Sequence, residues 1–133
     1  MSVNEEILLH CLKELSSLSL QEERWVKGVP GELATFEETV CALFDDSNFG
    51  LALKKGMVEE RYGDYFAKKV DKLSSLISKI PNYLPPEDLI HYPLMGELRL
   101  ISSFLLDELK RDENFFSDEW LSPEAFMWNR PLQ

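Results

Sequence analysis

The sequence predicts an all-α protein, an irregular bundle of four to five helices in one domain that covers residues 1–133. Apolar residues recur at three- and four-residue spacing in several segments, and the alternating pattern of strands is nearly absent. Three segments also begin with a capping box, in which Ser or Thr precedes Glu by three residues. These boxes are Ser2–Glu5, Ser19–Glu22 and Thr35–Glu38.

The first two helices are predicted from residue 4 to the glycine at residue 28. A core helix over residues 4–17 has an apolar stripe, and a short helix then runs through Trp25 and Val26. Gly28 and Pro30 end this second helix because neither residue continues a helix easily. The stripe of the first helix consists of Leu8, Cys11, Leu12 and Leu15, with Leu18 beyond it.

Two further helical segments are predicted in the middle of the chain. The capping box at Thr35 begins a helix over residues 36–46, which the polar run at 45–48 interrupts. Glycines bound residues 49–56, which are compatible with a helix of one to two turns or an isolated extended piece; we expect a helix. The apolar stripe of the first segment is Phe36, Val40, Leu43 and Phe44.

The clearest amphipathic pattern predicts a helix over residues 64–80 that ends at Pro81. A proline-rich connector with one helical turn at 86–90 follows, and Pro93 suits the first position of a long helix. Because the apolar sector of this last helix is wide, we expect it to be central. The two stripes are Phe66, Val70, Leu73, Ile77 and Ile80, and then Leu94, Met95, Leu98, Ile101, Phe104, Leu105 and Leu109.

The C-terminal segment, residues 114–133, has more aromatic residues than a solvated tail. We therefore expect an ordered segment that packs on the body of the protein or on a partner. Its large apolar residues are Phe115, Phe116, Trp120, Phe126, Met127 and Trp128.

The charge of the chain is strongly negative but unevenly distributed. The net charge is −10, and residues 54–80 form a basic band with seven basic and four acidic residues. The segments on either side are acidic, so we expect the band to pair with neighbouring acidic helices. An acidic protein lacks the cationic surface that binds phosphate backbones, which argues against a nucleic-acid partner.

The beginning of the sequence is acidic where a signal peptide is basic, and charged residues interrupt every apolar stretch. These features predict a cytoplasmic protein that is not bound to membranes and whose cysteines stay reduced.

The sequence offers no recognisable catalytic or metal site. The candidate soft ligands are His10, Cys11, Cys41 and His91, but they lack the close pairs of structural zinc sites. Carboxylate pairs are abundant, as is usual on solvated helix faces, and no glycine-rich phosphate loop occurs. We therefore expect no cofactor, no metal and no enzymatic activity. Cys11 is expected to be a buried apolar residue.

In size, acidity and helical composition the chain resembles the immunity proteins of bacterial toxin systems, including those of contact-dependent growth inhibition. The resemblance implies a cytoplasmic protein that neutralises a basic, nuclease-type toxin. An acidic surface would accelerate association with such a partner, and an aromatic anchor would slow dissociation. The surface expected to bind consists of Glu37, Asp45, Asp46, Phe49, Glu59, Glu60 and Tyr62.

Other interpretations of the sequence stay open. The same acidic residues form a solvated rim if Phe49 and Tyr62 belong to the core. A homo-oligomeric structural or adaptor protein, such as a homodimer that buries the aromatic segment, is the second candidate function. A hydrolase that uses a carboxylate pair and a metal is the third.

Overall fold

A computed structural model describes residues 3–28 and 35–112 of the chain, and within them the fold is all-α. Its helices are α1 (Glu5–Ser16), α2 (Leu18–Gln21), α3 (Phe36–Cys41), α4 (Phe49–Lys54), α5 (Met57–Tyr62), α6 (Asp64–Lys79), α7 (Pro86–Leu89) and α8 (Met95–Lys110). Helix α2 continues as a π-helix over Glu22–Lys27, and α3 continues as one over Ala42–Asp46.

The described residues therefore contain more helices than the four to five expected, because several are only one to two turns long. Within the segment at 49–56, α4 is helical over Phe49–Lys54. The aromatic segment predicted at 114–133 lies outside the described residues. Helix α5 was not predicted, since Met57 and Val58 are its only buried residues and six residues give no apolar period to detect. None of the helices in the described ranges has both the length and the apolar character needed to cross a bilayer.

The helix starts agree with the prediction to within two residues, although two of the three capping residues differ. The Thr35 hydroxyl caps α3 as predicted and accepts the backbone N–H of Glu38 at 3.0 Å. The Asn4 side chain caps α1 by accepting the N–H of Ile7, and the predicted Ser2 lies outside the described residues. Ser17 rather than Ser19 caps α2, because its hydroxyl accepts the N–H of Leu20 at 3.2 Å. A capping side chain thus marks the start of α1, α2 and α3, but neighbouring polar residues compete for that position.

The core is built around α8, as its wide apolar sector predicted. Helix α8 packs most extensively against α1 and next against α6. Its residues Met95, Leu98, Leu105 and Leu109 are at most 1% exposed. On α6, Leu76 is buried and Ile77, which the stripe placed in the core, is only half-buried.

A buried polar network connects the N-terminal helices to α8. The side-chain amide of Gln21 donates to the backbone carbonyls of Glu14 and Leu15. The Arg99 guanidinium donates to the Gln21 side chain at 2.8 Å and to the carbonyl of Ile90 at 3.1 Å. These hydrogen bonds join α1, α2, the end of α7 and α8. They satisfy buried polar groups that apolar packing alone would leave without partners.

Candidate functional site

A groove runs between α6 on one side and α3 with its π-helical continuation on the other. It contains two successive cavities of about 450 Å³ and 420 Å³. Along α6 the lining residues are Val70, Asp71, Ser74, Ile77 and Ser78. Along the opposite wall they are Phe36, Glu37, Val40, Cys41, Phe44 and Asp45. Both sets follow helical spacing, so one wall is a face of α6 and the other is a face of α3 with its π-helical continuation. Helix α4 also lines the first of the two cavities. We refer to this feature as the α3–α6 groove.

The groove explains why three residues of the predicted apolar stripes are not fully buried. Val40, Phe44 and Ile77 pack against the core on one side and line the groove on the other. When the apolar stripe of a helix is wider than the strip of its surface that contacts the core, the apolar residues at the edge of the stripe stay at the surface. Here the edges of two such stripes face each other across the groove.

Close backbone packing shapes the end of the groove that lies beside α4. A Cβ atom at Gly50 would lie only 2.9 Å from the backbone carbonyl oxygen of Phe44. Two positions earlier, the N-terminal capping residue Asn48 has a φ of 68°, in the left-handed region that asparagine tolerates better than most residues. Glycine is thus required where α4 approaches the π-helical segment.

Helix α3 is fixed in place by contacts on its core side. The Thr39 hydroxyl donates to the carboxylate of Glu14 at 2.5 Å, and the Nε of Arg24 lies 3.4 Å from the other carboxylate oxygen. Glu14 and Thr39 are both buried. The Phe36 ring also makes an edge-to-face contact with Trp25, with centroids 5.6 Å apart. One wall of the groove therefore rests on a buried, hydrogen-bonded charge and an aromatic pair.

The rim of the groove is acidic. Glu37, Asp45 and Asp71 line it with Lys54 as the single cation among the described lining residues. All three carboxylates are exposed, and none forms an ion pair with another described residue. The groove thus combines an apolar floor with carboxylates that are available to an external cation.

The predicted binding surface is divided in the structure. Glu37 and Asp45 lie on the rim of the α3–α6 groove. Asp46 is exposed, and its charge contributes to the raised pKa of the Cys11 thiol in α1. Glu59 and Glu60 are exposed on α5. The charge of Glu59 contributes to the raised pKa of Lys68 in α6. Two of the five predicted carboxylates therefore belong to the groove.

The two aromatic residues of the predicted surface have structural contacts. Phe49 is 1% exposed, so its ring belongs to the core and offers no face to a partner. Tyr62 is half-buried, its hydroxyl donates to Asp112 at 2.8 Å, and its ring lies 4.8 Å from that of Phe66. These contacts fit the alternative of an acidic rim around core aromatics. Sequence periodicity missed Phe49 because a six-residue helix is too short to define a buried face.

The groups with raised pKa values lie outside the groove. Burial, with the nearby charges of Glu14 and Asp46, raises the pKa of Cys11 to about 11. Burial and the hydrogen bond to Asp112 raise the pKa of Tyr62. A raised pKa keeps both groups protonated near neutral pH, the opposite of an activated nucleophile. Cys11 is buried as expected, Cys41 is exposed, and both are free thiols.

No metal-binding cluster of three or more His, Cys, Asp or Glu side chains occurs within residues 3–28 and 35–112. The basic band pairs in part as expected: Arg61 contacts Asp112 at 2.8 Å, and Lys72 lies 3.6 Å from Glu97 of α8. Lys68 instead pairs with Asp64 within the band. No family model, curated protein or solved structure matches the chain.

Proposed function

We propose that the protein is a non-catalytic binding protein whose α3–α6 groove receives an apolar segment of a basic protein partner. The observation that carries the proposal is the combination of an apolar floor with Glu37, Asp45 and Asp71 on the rim, none of them paired with another described residue. A groove between two helices suits an amphipathic helix, whose apolar face fills the floor while its cations meet the rim.

Charge favours a basic partner over the other available occupants. A second copy of the chain would bring a net charge of −10 to an acidic rim. Residues 113–133 carry four acidic residues and one basic residue, so they are also poorly matched to it. The acidic rim attracts a cationic partner at long range, and this attraction raises the rate of association.

At the level of biological role, we propose an immunity protein that neutralises a basic nuclease-type toxin in the cytoplasm. The support is the resemblance in size, charge and helical composition together with the acidic groove. A homo-oligomeric adaptor is the alternative, which light scattering on the purified chain tests. A metal-dependent hydrolase is the third, which metal analysis and a panel of phosphoesterase substrates test.

The experiment compares three immobilised forms of the full chain as baits in lysate of the source organism, followed by mass spectrometry. The first is the wild type, and the second carries Glu37→Lys, Asp45→Lys and Asp71→Lys in the groove. The third carries Glu6→Lys, Glu87→Lys and Asp88→Lys, which are exposed positions outside the groove. Both variants have the same net charge, so only the place of the charge differs.

We expect one basic protein to be retained by the wild type and by the control variant and lost from the groove variant. Its affinity for the wild type should fall with added salt, since exposed charges are screened. The identified protein is then purified and its binding measured with the same three forms. Equal retention on both variants would refute the groove as the site, and the absence of any basic protein on the wild type would refute the function.

A further inference from the structure

The surface between α6 and α8 carries large apolar side chains that are mostly exposed. Tyr65 is 64% exposed and Leu100 is 74% exposed. The rings of Tyr65 and Phe104 meet edge to face with centroids 5.6 Å apart. Lys72 and Glu97 approach each other further along the same two helices, which are therefore antiparallel. We refer to Tyr65, Lys69, Lys72, Leu100 and Phe104 as the α6–α8 face.

This face lies in the basic band of the chain. The Lys69 ammonium is 5.3 Å from the centre of the Tyr65 ring. Lys72 contacts Glu97, and Lys68 next to the face contacts Asp64. Lys69, by contrast, forms no ion pair with another described residue, so its ammonium group is available to an acidic group of an occupant. Apolar side chains among cations suit an occupant that is both aromatic and acidic.

The described part of the chain ends beside this face. The Asp112 carboxylate accepts hydrogen bonds from Arg61 and from Tyr62, each at 2.8 Å. Tyr62 stacks against Phe66 of α6, one residue beyond Tyr65. The contacts of Asp112 therefore place the start of residues 113–133 beside the end of α5, close to the first turn of α6, which carries Tyr65.

The sequence of residues 113–133 matches the chemistry of the α6–α8 face. It contains Phe115, Phe116, Trp120, Phe126 and Trp128, and it has four acidic residues against one basic residue. Twenty-one residues span about 30 Å even as a helix, which exceeds the length of α8 at about 24 Å. The length, the charge and the apolar content of residues 113–133 are therefore all compatible with binding to the α6–α8 face.

We infer that residues 113–133 bind the α6–α8 face of their own chain, with aromatic side chains over Tyr65, Leu100 and Phe104 and carboxylates near the lysines. This docking accounts for two features that the proposed function does not use, the exposed apolar side chains between α6 and α8 and the aromatic C-terminal segment. It leaves the α3–α6 groove open, so it holds whether or not the groove binds a basic partner.

Tryptophan fluorescence of the full chain tests the inference. Trp25 is buried in the core, whereas Trp120 and Trp128 belong to the segment and report its surroundings. Leu100→Asp places a carboxylate in the face without disturbing the core, because Leu100 is largely exposed. We expect a red shift of the emission and stronger quenching by acrylamide, and a smaller change of the same kind from Lys69→Glu.

The matched control is Leu18→Asp at an exposed leucine in the first turn of α2, where the helix dipole tolerates an acid. It should leave emission and quenching as in the wild type, and circular dichroism should show that each variant is folded. Identical quenching in the wild type, Leu100→Asp and Lys69→Glu would overturn the inference. So would light scattering that finds a wild-type dimer and a Leu100→Asp monomer, because a second copy would then cover the face.

Discussion

Individual residues decide how the wall of the groove is held. Glu14 is a buried carboxylate, and such a group is stable only when its charge is met by hydrogen bonds or an ion pair. Thr39 and Arg24 meet it from two other helical segments. Glu14 thus fixes α3 against α1, although nothing in the sequence distinguishes it from the other acidic residues.

Thr39→Val should lower the free energy of unfolding by about 2 kcal/mol, because the buried carboxylate of Glu14 loses a donor while the volume is kept. Urea denaturation monitored by circular dichroism measures this change. Thr39→Ser is the control, since it retains the hydroxyl and removes only a methyl group. If Thr39→Val lowers the free energy of unfolding no more than Thr39→Ser does, the hydrogen bond to Glu14 does not make the predicted contribution.

At the level of the element, local sequence signals place the helices but not their separations. The amphipathic pattern indicates α6 and α8 clearly, and glycine or proline ends several helices as expected. The close approach of α4 to the π-helical segment depends instead on Gly50, whose role the sequence reveals only as a possible boundary.

Gly50→Ala should destabilise the fold by about 1–2 kcal/mol, although alanine is the better helix former. The added methyl would meet the backbone carbonyl oxygen of Phe44, which cannot move aside as a side chain tip can. The control is Gly96→Ala in α8, where no atom lies within 4 Å of the added Cβ. That change should be neutral or stabilising by up to about 1 kcal/mol in thermal denaturation. A stabilising Gly50→Ala would contradict the close approach.

For the whole molecule, stability depends on pH at the alkaline end because the buried thiol of Cys11 and the half-buried hydroxyl of Tyr62 resist deprotonation. Folding raises the pKa of Cys11 from its ordinary value of 9.0 to about 11, and it raises that of Tyr62 as well. The unfolded chain then releases these protons at lower pH than the folded chain. The stabilisation is complete below pH 9 and is lost as the pH rises toward 11.

We expect the free energy of unfolding to fall by about 2 kcal/mol between pH 9 and pH 11 through Cys11 alone. Urea denaturation at several pH values measures the slope. Cys11→Ala should flatten this slope whatever it does to stability at neutral pH, and Tyr62→Phe should flatten it further. Cys41→Ala, at the exposed cysteine, should leave the slope as in the wild type. An unchanged slope in Cys11→Ala would exclude this thiol as a source.

The sequence predicted some of the residues of the candidate site and missed others. Glu37 and Asp45 were predicted to bind a partner, and the structure places both on the rim of the groove. Asp71 was missed because it lies among lysines on α6, and nothing in the sequence indicates that α6 faces α3. Phe49 was assigned to the surface because nothing local indicates the direction of a ring in a short helix.

The sequence by itself determined the all-α class, the position of most helices and the uneven distribution of charge. These properties follow from residues within a few positions of one another, through capping, apolar period and composition. Only the tertiary structure decided that α3 and α6 stand apart as the two walls of a groove. The walls of the groove are held by contacts between elements, Glu14 with Thr39 and Gly50 with Phe44, which no local pattern encodes.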